Sequence, residues 1–350
     1  MVEKRLKVTA ILTGIFVAIS LGAMFYRTVT KSVIIAEAEN ASFYKELGGK
    51  EYLLDVKEPV SDKGKGTLLI PLEGGVSSDK ITLEEKHGQH KFELYIDGKS
   101  ADFYSKNAVI TDLECVQQGS FTPLNESGLV RLTFQLDGLY ENETSLGDKE
   151  IVVSFKKPDD LYEKVVVIDP VDEIGQKMIP YLRNCFPVSE GIKLYFTTLD
   201  EERLSAEELK ALIEDSRADY FIQLGTEETV ESDSGIRTFY NDRFFIRGFG
   251  NVQLADKLEM GVVTQTGDNA LGLAAADEKN AELLTSTIPS AFVTIGNINN
   301  RVDHDKLEKD SYIEKCSKGV ADGIKAAFAE TKPGSTDEEN DTFPAIISGN

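Results

Sequence analysis

Cysteine, histidine and positive charge are all scarce in this chain of 350 residues. Cys115, Cys185 and Cys316 stand far apart, with no Cys-x-x-Cys pair, so neither a disulfide framework nor a thiolate zinc site is indicated. Cys115 reads as a small core residue, because no histidine pattern accompanies it. Any His-rich metal site has to be built from His87, His90 and His304, since there are no others. The 38 basic residues are outnumbered by 60 acidic ones, giving a formal charge of −22. That balance excludes nucleic acid as a partner and disfavours adsorption to anionic surfaces.

Apolar residues make up 41% of the chain, enough for a sizeable core, and the length suits two domains at ~150 residues each. Residues 8–26 are uncharged and mainly apolar, and at ~1.5 Å per residue they reach ~28 Å, close to a bilayer core. Ala36-Glu37-Ala38 has the small residues of a cleavage site but lies ten residues past the run. The run also exceeds the ~7–15 apolar residues of a signal peptide. The expectation is an uncleaved transmembrane helix at 8–26 behind a cytoplasmic stub, 1–7. Lys4, Arg5 and Lys7 before it, against Arg27 and Lys31 after it, weakly favour that orientation. The chain would then sit in the cell membrane as a single-pass protein with its bulk extracytoplasmic.

Residues 42–157 read as β structure. Val130, Leu132, Phe134 and Leu136 alternate onto one face, as do Phe92, Leu94 and Ile96, and Ile151, Val153 and Phe155. Turn signals such as Asp137-Gly138 and Gly147-Asp148 separate them, and a small all-β sandwich is expected. His87-Gly-Gln-His90 reads as a surface turn in preference to a metal site, because Gly88 argues against a helix that would aim both rings one way.

An α/β pattern occupies 163–330. The run Lys164-Val-Val-Val-Ile-Asp-Pro170 is a fully buried strand ending in a turn. Helices are expected over 173–186, from the capping box Ser205-Ala-Glu-Glu208 to about 216, over 251–264 and over 310–330. Further strands are expected over 191–198, 219–225 and 289–296. The fold class that follows is a mostly parallel, helix-flanked sheet. Ligands in such sheets bind beyond the carboxyl ends of the strands. The tail 331–350 is polar and expected to be disordered.

Four stretches of this half carry a resemblance. They are Val165-Val-Val-Ile-Asp-Pro-Val-Asp172, Gly191-Ile-Lys-Leu194, Ala218-Asp-Tyr-Phe-Ile-Gln-Leu-Gly225 and Pro289-Ser-Ala-Phe-Val-Thr294-Ile-Gly-Asn-Ile-Asn-Asn300, with Ala321-Asp-Gly-Ile324 after them. In this order they resemble the zinc-dependent N-acetylmuramoyl-L-alanine amidases, which cut cell-wall peptidoglycan. The resemblance implies two histidines and a glutamate on zinc and a second glutamate as general base. Here the first His position is Asp172 and the second is Gly225; the Gly-rich loop before the glutamate ligand is missing, leaving Glu173 as its counterpart. The general-base position is Thr294, whose hydroxyl cannot take a water proton at neutral pH. A shifted alignment would bring Glu227 or Glu228 toward the metal position. His304 is expected in a loop past the last strand. Asp169, Asp172, Glu173, Thr226 and Asn297 are the candidate cleft residues.

The resemblance thus implies an amidase-like protein that binds peptidoglycan or a cell-envelope protein with hydrolysis lost and no cofactor. The β region resembles modules that bind peptidoglycan. The alternative is an active amidase using zinc in a rearranged site, and a third reading is a membrane-tethered spacer.

Overall fold

The computed structural model describes residues 49–331, apart from Lys63, Gly75 and the stretches 98–101, 125–127, 198–202 and 244–245. The chain divides into two compact units, Met1–Leu161 and Tyr162–Asn350.

The first unit opens with β1 (Tyr52–Leu53), β2 (Val56–Lys57), β3 (Leu68–Pro71), β4 (Ile81–Lys86) and β5 (Lys91–Ile96). A one-turn helix α1 (Asp102–Lys106) precedes β6 (Val109–Ile110), β7 (Val116–Leu124), β8 (Leu129–Leu136), β9 (Glu141–Leu146) and β10 (Glu150–Lys156). They form two five-stranded sheets, ordered β1-β7-β8-β5-β4 and β2-β6-β3-β10-β9. The alternating residues named above meet between them: Phe92, Leu94, Ile96, Val130, Leu132 and Phe134 pack with Leu68, Ile70, Ile151 and Val153. His87–Gln89 is a single 3₁₀ turn, and His90 ends it with φ 52°. Cys115 is buried.

The second unit runs β11 (Lys164–Pro170), α2 (Glu173–Cys185), β12 (Ile192–Phe196), α3 (Ala206–Asp215), β13 (Tyr220–Glu227) and β14 (Ile236–Tyr240). It continues α4 (Asn251–Thr266), β15 (Ala270–Ala275), α5 (Ala281–Thr285), β16 (Ser290–Asn297), α6 (Arg301–Leu307) and α7 (Asp310–Glu330). The sheet order is β12-β11-β13-β16-β14-β15. β12, β11, β13 and β16 are mutually parallel, but β14 pairs antiparallel with β16 and carries β15 parallel to itself. The sheet is therefore mixed, but four of its five pairings are parallel, in agreement with the mostly parallel sheet expected. β11 and β13 have parallel neighbours on both sides, β12 and β15 are the edges, and the unexpected β14 lies between β16 and β15, with pairings that are entirely long-range.

One face of the sheet, with Ile168, Ile222, Leu224, Val293 and Ile295, packs on Met178, Leu182, Leu254, Leu258, Val320 and Ile324 from α2, α4 and α7. Where α4 crosses α7, glycines let the backbones touch: a Cβ added to Gly319 would lie 2.5 Å from Val262 Cα. α3 begins with the expected capping box, Ser205 Oγ accepting from Glu208 N and Glu208 Oε2 from Ser205 N.

Two expectations need correction. Among the described residues no helix is long and apolar enough to cross a membrane, which overturns the single-pass membrane localisation. The stretch 8–26 that suggested it, like 1–7 and 332–350, lies outside the described residues. His304 is not in a loop but on α6, exposed; Asn300 opens that helix by accepting from Val302 N and Asp303 N at 2.9 and 3.2 Å.

Candidate functional site

The chain passes from β11 outward to β12 and then back across to β13, so the strand order reverses at β11. Such switch points leave a crevice beyond the carboxyl ends of the two strands. A cleft of about 530 Å³ lies there, within the range of small-molecule sites. Val171 and Asp172 after β11 line it, with Gln223 and Thr226 to Thr229 from β13 and beyond, Phe239 and Phe292, Arg203, and the segment around Asp277–Glu282.

Three of the four positions that the resemblance singled out, Asp172, Gly225 and Thr294, come together. Gly225 is the register partner of Thr294 across β13 and β16, and a Cβ on Gly225 would lie 2.9 Å from Asp172 Oδ2. Asp172 caps α2: Oδ1 accepts from Gly175 N at 2.7 Å, while Oδ2 accepts from Thr226 N at 2.7 Å and Thr226 Oγ1 at 2.6 Å. Its carboxylate therefore lies across Gly225 and fills the space a side chain there would need. Thr294 is buried and its hydroxyl donates to Arg237 O at 3.0 Å.

The remaining candidates divide. Thr226 lines the cleft beside Asp172. Asp169 is buried and accepts from Thr197 Oγ1 at 2.5 Å, Gln223 Nε2 at 2.8 Å and Arg203 Nη2 at 3.1 Å. It does not line the cleft itself; it holds two residues that do. Glu173 is not a cleft residue: its side chain is 82% exposed and pairs with Lys177 at 3.1 Å. Asn297 does not line the cleft either. Its amide ties the 229–233 loop, donating to Val230 O and Asp233 O and accepting from Thr229 N. Glu227 is buried, and burial pushes its carboxyl above the usual range while Arg237, 2.6 Å away, opposes the shift. Glu228 lines the cleft, exposed.

The zinc implied by the resemblance does not fit these side chains. Catalytic zinc needs three protein donors at ~2.0–2.2 Å around an open position. Gly225 offers no donor, Glu173 faces solvent, and Asp172 is committed to three donors of its own. Among the described residues no cluster of three or more His, Cys, Asp or Glu could hold a metal.

Sequence reasoning missed Arg203, Gln223, Phe239 and Phe292. Gln223 had a signal, as the one polar side chain inside the apolar run Tyr220–Leu224. The aromatic pair had none, because it depends on a strand that was not expected.

Residues 171–326 match the family described as N-acetylmuramoyl-L-alanine amidase. A Bacillus subtilis (strain 168) protein described as uncharacterized protein YqiI is 27% identical over 142 residues, 40% of this chain. The match spans 66% of that relative, just under two thirds of its length. Among solved structures, the catalytic domain of CwlV, an N-acetylmuramoyl-L-alanine amidase from Bacillus (Paenibacillus) polymyxa var. colistinus, is similar with TM-score 0.43 and 16% identity. That similarity covers 48% of this chain and 99% of that one. The CwlD amidase from Clostridioides difficile, solved in complex with the GerS lipoprotein, is similar with TM-score 0.39 and 16% identity, over 48% of this chain and 99% of that one.

Proposed function

We propose that this chain, whose residues 171–326 belong to the N-acetylmuramoyl-L-alanine amidase family, binds peptidoglycan in its second unit without cutting it. The observation that carries this reading is the arrangement of Asp172 over Gly225. Amide hydrolysis of the family's kind needs a metal to polarise the carbonyl and generate the nucleophilic water. The residues at the corresponding positions here spend their polar atoms on one another and on the main chain instead.

What the arrangement retains is a shaped binding site. Asp172 fixes the start of α2 to the end of β13, so both walls of the crevice are held rigid without a metal. The cleft keeps the size for a sugar-peptide fragment, with polar groups on its floor and charged groups at its rim. The β-sandwich of the first unit is proposed as a second peptidoglycan-binding module, and avidity between two modules would raise retention on an insoluble polymer.

Co-sedimentation of the full chain with purified peptidoglycan sacculi tests the reading. Retention on the sacculi, reversed by soluble muropeptides, is expected. Failure to sediment with the fold intact would overturn it and leave a cell-envelope protein as the partner class.

A further inference from the structure

A straight row of register partners runs along the cleft, three of them lining it and the fourth, Asp169, beneath. Asp169 pairs with Gln223, Gln223 with Phe292, and Phe292 with Phe239, across β11, β13, β16 and β14. At ~4.8 Å between neighbouring strands the row is ~14 Å long. Its ends differ in chemistry. Phe239 and Phe292 stack at 5.9 Å between centroids and 22° between planes, forming an apolar platform. At the other end Asp169 holds Arg203, whose side chain is 45% exposed and lines the cleft. A guanidinium oriented by a buried carboxylate keeps the rest of its donor fork available for an incoming carboxylate.

Gln223 supplies an independent sign of a ligand. It is 1% exposed and lines the cleft, and its Nε2 donates to Asp169. That bond fixes the amide orientation, because a carboxylate accepts and cannot donate. Its Oε1 is therefore turned away from Asp169 and accepts from no protein donor. A buried acceptor without a donor is rare enough to require a reason.

We propose that this row binds the C-terminal end of a short peptide. The terminal carboxylate sits on Arg203, the amide N–H next to it donates to Gln223 Oε1, and the apolar part lies over Phe292 and Phe239. Carboxylate and N–H donor side by side are what a peptide's last residue offers. The exposed acids Glu228 and Asp277 on the rim select against polyanions. The assignment deepens the peptidoglycan reading, whose stem peptides are such ligands, and rests on it for biological setting only.

The test is isothermal titration of the full chain with N-acetyl-alanyl-alanine, in L,L and D,D forms, against the same compounds with the terminal carboxylate converted to carboxamide. At least one acid form is expected to bind, with its carboxamide about tenfold weaker or more, the size of one charge-assisted hydrogen bond. Arg203→Gln is expected to lose the same factor and to erase the difference between acid and amide. Gln223→Met is expected to weaken both forms, and Lys210→Ala on exposed α3 to change neither. No binding of either acid, equal binding of acid and amide, or an unchanged acid-to-amide ratio in Arg203→Gln would overturn the assignment. Acid-selective binding by a chain that ignores sacculi would instead sink the peptidoglycan reading and leave the peptide site standing.

Discussion

Asp172→Ala is the perturbation that separates a structural carboxylate from a metal ligand. Loss of the helix cap costs about 1 kcal/mol. The carboxylate also accepts from Thr226 N and Oγ1, and hydrogen bonds to a charged group contribute ~1.5–3 kcal/mol each when buried. Thr226 is only half-buried, so water replaces part of that, and the total expected loss is ~2–4 kcal/mol. For a unit of this size the midpoint should fall by roughly 4–16 °C. Thermal unfolding of the full chain, followed by near-ultraviolet circular dichroism, reads it. The wild-type midpoint should be the same in EDTA as in added Zn²⁺, and the variant should sit equally far below it in both. A wild type that drops to the level of the variant in EDTA would show that Asp172 stabilises through a bound metal and would refute the reasoning.

Three further outcomes follow from the same geometry. Gly225→Ala places a Cβ 2.6 Å from Val171 Cγ2 and 2.9 Å from Asp172 Oδ2, at an expected cost of ~1–3 kcal/mol in urea unfolding. Combined with Asp172→Ala it should cost less than the sum, since the second change removes one of the obstacles; simple additivity would deny the contact. Gly319→Ala should destabilise by ~1–3 kcal/mol, because its Cβ meets the α4 backbone; a neutral result would mean the helices separate freely. Glu259 is buried and accepts from Gly272 N, and burial raises its carboxyl above its ordinary 4.5. The folded state then holds the proton more tightly than the unfolded one, so its contribution is full below pH 4.5 and is lost as pH rises through the folded value. Glu259→Gln should therefore gain stability relative to wild type on going from pH 4 to pH 7; a flat difference would contradict the sign.

The elements legible in the sequence are those whose pattern is local. β11 reads as buried because the four β-branched residues Val165 to Ile168 run together, α7 keeps its helical period to its end, and Ser205 with Glu208 announces α3. β14 and β15 were invisible for a physical reason. Ile236–Tyr240 alternates over only five residues, and Ala270–Ala275 is made of small residues whose strand character comes from its neighbour. The site shows the same division. Asp172, Gly225 and Thr294 were found because each ends a local motif at the same edge of the sheet. Asn297 and Glu173 were placed with them by proximity in sequence. The first is turned to a loop by its amide bonds, the second to solvent by its place on the first turn of α2. The Asp169–Phe239 row needs the register of four strands, and no single segment encodes it.

The most direct test of the central claim is amine release from peptidoglycan. Purified sacculi are incubated with the full chain, with and without Zn²⁺, and newly exposed alanine amino groups are labelled and counted beside a known amidase. The account predicts that the chain is retained on the sacculi while amine release stays at the level of buffer in both conditions. Zinc-dependent release of alanine amino groups, abolished by EDTA, would contradict it.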